Sequence, residues 1–325
     1  MFRTVSPKLA PALLASALLL AAPGRVDAAD TVSVGIYLVD VYDLDFPGNQ
    51  LSLDFYLWFN YRDTSLNPLS TFEIVNAKEV VKAGEETTVE KGLVYQSARC
   101  RVVLKHNWNV THFPFDRHRI AVHFEDNVED TSRLVYVADT RNTRVDDSLA
   151  VANWRLSDFA FGTSDHVWHT TYGDPLVAPG DYSTYSRFTV SFLLGRVDCG
   201  AGMYLKCFVG LLLAVLVSFV TLCIKPTDVD PRFGLSVGAI FASFANLYVV
   251  NGVLPQTATM TFVDLLHTIS FGYIFACIVV SAVSLWLAGK GREQAYRRLD
   301  RVTLATLAVS YAVIALALTV VNLRA

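Results

Sequence analysis

The chain lacks the material for several common functions. Its five cysteines in 325 residues are an odd number with no Cys-x-x-Cys pair, which gives neither a disulfide scaffold nor a zinc site. It has no basic excess: 27 Lys+Arg stand against 30 Asp+Glu, −3 overall, whereas a nucleic-acid binder needs a basic surface. A Gly-x-Ser-x-Gly elbow, a His-Glu-x-x-His pair and a phosphate-cradling glycine loop are all missing, which argues against an enzyme. The histidines supply no ligand cluster. His118 and His123, like His166 and His169, stand an odd number apart, so an uninterrupted strand points each pair to opposite faces. Structural histidines are expected, with no metal and no cofactor.

What is present is apolar and unevenly spread. The chain is 53% hydrophobic with a mean hydropathy of +0.37, too greasy for an ordinary soluble enzyme. Residues 1–28 read as a secretory signal: Arg3 and Lys8 start it, Leu9 to Ala22 form the apolar stretch, and Val26-Asp27-Ala28 is a cleavage site. Residues 29–200 read as an all-β domain. Val32, Val34, Ile36 and Leu38 alternate with Ser33, Gly35 and Tyr37; Ile120, Val122 and Phe124 do so again, as do Phe188, Val190, Phe192 and Leu194. Turn chemistry at Pro47-Gly48-Asn49, Ala83-Gly84-Glu85 and Pro179-Gly180-Asp181 separates such runs, and strands at this spacing favour a β-sandwich.

Residues 201–325 read as a transmembrane domain. Apolar stretches at about 204–224, 233–254, 262–287 and 302–323 are each long enough to cross a bilayer, which takes about 20 residues. Lys225 and Arg232 follow the first stretch, and Lys290, Arg292, Arg297, Arg298 and Arg301 follow the third. The link after the second has no basic residue. Positive charge collects on the cytoplasmic side, so the β domain and the second link are expected outside.

The second stretch carries a small or polar stripe. Gly234, Gly238, Phe241, Ala245, Tyr248 and Gly252 recur at steps of four and three, on one helical face, with Ser236, Ser243, Asn246 and Asn251 off that line. Copies about an axis would line a wet lumen with this face; alternatively, Gly234-x-x-x-Gly238 is a dry helix-packing motif. In the lumen reading Asp230 forms a carboxylate ring that concentrates cations, Phe241 a greasy constriction and Tyr248 a second one. Arg232 would oppose the Asp230 ring if it faced the lumen. It is expected to point outwards or to reach headgroups or a neighbouring carboxylate.

Val110-Thr111-His112-Phe113-Pro114-Phe115-Asp116, a secreted β-sandwich, four spans, Asp230-Pro231-Arg232 and Leu254-Pro255 together resemble the pentameric ligand-gated ion channels. This is the Cys-loop receptor family, in its prokaryotic form: the bracketing positions are His106 and Ile120, so the loop disulfide is absent. The resemblance covers about Val32 to the C-terminus.

It implies a ring of five identical chains with a pore. Pro114 and Asp116 would sit against the link Leu254-Pro255-Gln256-Thr257, and Arg196 would pair with Asp116 to couple sandwich to pore. Asp198-Cys199-Gly200-Ala201-Gly202 looks like an insertion here, and the first span has Gly210 where a proline is common. The agonist site would lie between adjacent sandwiches, with Glu73, Glu125, Tyr172 and Tyr185 from one chain and Tyr56 from its neighbour. Two carboxylates among tyrosine faces suit a small ammonium. Asp264 and His267, at i and i+3 near the outer end of the third span, form a candidate proton sensor, with helix-end hydration as the plainer account.

The expected function is a homopentameric, cation-conducting channel of a bacterial inner membrane. A small ligand, an amine, or protons would open it from the periplasmic side; its partners are lipid, the agonist and monovalent cations, with no nucleic acid. One rival is a non-conducting, membrane-anchored periplasmic sensor. Another is a membrane enzyme or transporter, which would need charges deep in the spans or internal repeats.

Overall fold

The computed structural model describes residues 29–173, 178, 180 and 182–324, so the expected secretory signal, Pro179 and Asp181 lie outside the described residues. Two sheets face each other. In the first, strands β4 (Ala77–Glu90), β5 (Leu93–Lys105), β2 (Gln50–Tyr61), β1 (Asp30–Asp45) and β7 (Leu134–Ala138) lie in that order, and the short β8 (Arg144–Val145) pairs with β1. The second runs β3 (Phe72–Ile74), β6 (Arg117–Asp126), β10 (Ser183–Arg196), β9 (Trp154–Trp168). A single helical turn, α1 (Pro68–Thr71), precedes β3.

Alternation drives the packing. Val32, Val34, Ile36 and Leu38 of β1, Ile120, Val122 and Phe124 of β6, and Phe188, Val190, Phe192 and Leu194 of β10 are all buried between the sheets. Phe55 of β2 meets Phe124 of β6 edge-on, with centroids 5.8 Å apart, so the two layers interlock through aromatic rings. Each such side chain removed from water contributes about 1.5–3 kcal/mol. Pro47-Gly48-Asn49 is the β1–β2 turn, as expected. Ala83-Gly84-Glu85 is not a turn. It lies inside β4, where Gly84 takes φ +62° and the register to β5 shifts between Ala83 and Glu86, so the glycine makes a β-bulge.

Four helices follow: α2 (Ala201–Val220), α3 (Val229–Asn251), α4 (Phe262–Gly289) and α5 (Glu293–Arg324). All four are long and apolar enough to cross a membrane. Within the bundle α3 packs on α2 and α4, and α5 on α4. Helix α3 starts at Val229 and α5 at Glu293, ahead of their apolar stretches, because a helix runs through polar first turns that a hydropathy boundary leaves out. A capping box between Thr261 and Asp264 opens α4, and Gly291 at φ +70° ends its connection to α5.

Candidate functional site

The stripe on α3 faces away from its own bundle. Asp230, Gly234, Gly238, Ala245 and Gly252 are exposed, and Phe241 and Tyr248 are 69% and 83% exposed. A Cβ on Gly234 or Gly238 would meet nothing within 4 Å, so these glycines do not serve close packing inside the chain. The opposite face is buried: Ser236 and Ser243 return their hydroxyls to the backbone at 3.4 and 2.9 Å, as their i−4 carbonyls allow in a dry site.

Arg232 belongs to that buried face, with no exposed surface. It neither points outwards nor reaches headgroups. Its guanidinium grips Asp300 of α5 at 2.7 and 3.1 Å, donates to Ser281 of α4 at 3.0 Å, and caps the Ile224 carbonyl at 2.8 Å. Ser284 adds a 2.5 Å bond to the same carboxylate. Of the expected destinations, the neighbouring carboxylate is the one found.

At the foot of the sandwich Asp116, 4% exposed, accepts from Arg196 at 2.9 and 3.4 Å. The pair expected from the resemblance is therefore formed within one chain. Two features of it were not foreseen. His118 stands 2.5 Å from the same carboxylate, and Trp154, Phe113 and Phe46 surround the guanidinium at 4.2, 4.9 and 5.4 Å from their ring centroids. Burial alone would raise the Asp116 pKa, but the His118 hydrogen bond and the Arg196 charge outweigh it and hold the carboxyl below its ordinary value.

The segment that looked like an insertion makes the corner between sheet and bundle. Asp198, Cys199 and Gly200 take φ of 52°, 49° and 80°, and a Cβ on Gly200 would lie 2.0 Å from the Pro114 carbonyl oxygen. Pro114 thus packs on this corner. Leu254 and Pro255, both buried, meet the loop at its other end, where they line a cavity of roughly 450 Å³ with Val110, Thr257 and Thr261. The Phe262 amide donates to the Thr111 carbonyl at 2.9 Å, and Phe115 stacks near Tyr204 at 5.7 Å, so one loop touches the starts of α2 and α4.

At the second sheet Glu73, Glu125, Tyr172 and Tyr185 come together around a cavity of roughly 250 Å³, joined by Asp126, Asn127 and Trp168. The expectation of two available carboxylates fails. Glu125 is 1% exposed and already taken, by Arg187 Nε at 2.5 Å and Trp168 Nε1 at 2.9 Å. Glu73 pairs with it across β3 and β6 and is exposed. Partial loss of water at the cavity first, then repulsion from Glu125 and Asp126, raise the Glu73 pKa. Arg187 was missed, although its parity in β10, opposite to Phe188, places it on the outer face beside Glu125. Tyr56 lies on the other sheet, half-exposed, with Arg99 5.5 Å above its ring, so a single chain does not bring it to this cavity.

Asp264 and His267 do not pair. Asp264 accepts from the Thr261 amide at 3.0 Å and hydroxyl at 2.7 Å. His267, fully buried, places Nδ1 2.8 Å from the Val263 carbonyl and Nε2 3.0 Å from Asn246 Oδ1, while Asn246 donates to the Cys207 carbonyl at 2.9 Å. The ring thus ties α4 to α3 through Asn246. Among the described residues no group of three or more His, Cys, Asp or Glu could hold a metal.

No protein-family model matches this chain, and a search of curated proteins finds no match.

Proposed function

We propose that copies of this chain, five by the resemblance, ring an axis with α3 facing a water-filled lumen. The ring conducts cations across a bacterial inner membrane and opens when a small ammonium ligand binds the periplasmic sandwich. The observation that carries this reading is the uncovered face of α3. A carboxylate, bare glycines and a tyrosine at Asp230, Gly234, Gly238 and Tyr248 make a poor lipid-facing surface, whereas α5 exposes Val302, Val309, Val313 and Leu316. Arg232, held on the far side of the helix by Asp300, leaves the Asp230 charge unopposed at the mouth. The basic links after α2 and α4 support a cytoplasmic position for that mouth.

The test is current through purified protein in planar bilayers under asymmetric salt. Asp230→Asn moves the reversal potential toward zero, Asp230→Arg moves it past zero, and cysteines at Phe241 and Tyr248 react with soluble thiol reagents. Unreactive cysteines together with silent bilayers would return the chain to the class of non-conducting sensors.

Protons are a second stimulus, through His267. Its Nδ1 meets the Val263 carbonyl of α4 and its Nε2 meets Asn246 of α3, so a change in its protonation alters the tie between the two helices. A current response to pH that survives His267→Ala unchanged removes this part of the reading.

A further inference from the structure

The geometry points to a binding site for an anionic phospholipid where the end of α2 meets the first turns of α5. Two concavities adjoin there, of roughly 320 and 330 Å³, and they share Arg297 and Arg301. The first has an apolar floor that includes Leu222, Ile224 and Leu304, and a rim of Lys225, Arg297 and Arg301. The second adds Arg298 and opens onto Val302.

Charge and depth both select the occupant. The nearest carboxylate, Asp300, lies in the first concavity but is bound from behind by Arg232 and Ser284. Glu293 takes Arg297 alone, in an exposed i,i+4 pair. Among the described residues no ion pair involves Lys225, Arg298 or Arg301, so the rim keeps uncompensated positive charge. Trp286 of α4, 56% exposed with the Lys290 ammonium 3.7 Å over its ring, marks the headgroup level on this side. Tyr296 lies in the first turn of α5, at the same end of the bundle. Arg301, five residues further along α5, is therefore deeper by roughly 7.5 Å at the helical rise.

An exposed guanidinium at that depth is costly unless a phosphate is drawn down to it. Val302, Val309, Val313 and Leu316 continue upward from Arg301 as exposed apolar surface for acyl chains. A phosphodiester in the basic rim with its tails on this surface satisfies both requirements. A zwitterionic headgroup carries the same phosphodiester but brings its own ammonium, so only an anionic headgroup lowers the net positive charge of the rim.

The test uses the full chain in phosphatidylcholine vesicles and does not depend on conduction. Association of spin-labelled phosphatidylglycerol is compared with that of spin-labelled phosphatidylcholine. Arg298→Gln combined with Arg301→Gln is expected to weaken phosphatidylglycerol association by about fivefold or more while phosphatidylcholine is unaffected. Arg298→Lys with Arg301→Lys retains most of the preference, and Arg324→Gln, at the other end of α5, retains all of it. The assignment is overturned if the glutamine pair keeps the preference or if Arg324→Gln abolishes it equally. Displacement of the lipid by inorganic phosphate overturns it too, in favour of a soluble-phosphate site. Because these readings need no current, they stand or fall apart from the channel proposal.

Discussion

Asp300 of α5 holds Arg232 of α3 by two bonds, at 2.7 and 3.1 Å, inside a bundle where the arginine has no exposed surface. A buried pair of this kind is fragile in one direction only. Asp300→Ala leaves the guanidinium unpaired and should cost on the order of 3–5 kcal/mol, read as a large fall in the thermal midpoint of the detergent-solubilised protein. Arg232→Met with Asp300→Leu removes both charges and should recover most of that loss. A double variant as unstable as the single one would contradict this account.

Gly200→Ala should destabilise the corner between sheet and bundle. The new methyl would sit 2.0 Å from the Pro114 carbonyl oxygen at a residue with φ +80°, a conformation L side chains resist. The expected cost is about 1–3 kcal/mol of strain, measured by thermal unfolding beside Gly84→Ala, whose Cβ meets nothing and whose cost comes from φ alone.

His106 carries an acid-dependent loss of stability. Burial, then the neighbouring His118, push its pKa down from 6.5 to about 4, so the folded protein refuses a proton that the unfolded chain accepts. Its contribution is complete above pH 6.5, declines as pH falls toward about 4, and levels off below. Unfolding midpoints measured across that window should fall more steeply for the parent than for His106→Gln. Parallel curves would remove His106 as the cause.

Glu73 is the carboxylate left open to an ammonium. Glu73→Gln should weaken an amine response on the order of tenfold, the scale of one charge-assisted hydrogen bond. Because its pKa is raised, the carboxylate protonates at a higher pH than an ordinary glutamate, so amine affinity should fade as the solution is acidified through that raised value. Titration calorimetry with small amines checks both. Glu125→Gln acts differently: it leaves Arg187 without its partner and should lower stability as well as affinity.

Period-two alternation in β1, β6 and β10, and four apolar stretches of sufficient length, were legible because they depend on residue order alone. The α3 stripe was legible for the same reason, since helical spacing decides which residues share a face. Gly84 was misread because a glycine marks a turn and a bulge equally well, and only its partners in β5 choose between them.

The sequence by itself determined which segments alternate as strands, which are long and apolar enough to cross a bilayer, and which α3 residues stand together. Only the tertiary structure decided what each charge meets. Asp300 lies 68 residues from Arg232, and Arg187 lies 62 from Glu125, so no local pattern joins them. Such pairings form because a charge leaving water must find an opposite one wherever packing brings the chain back. That return path is a property of the fold as a whole.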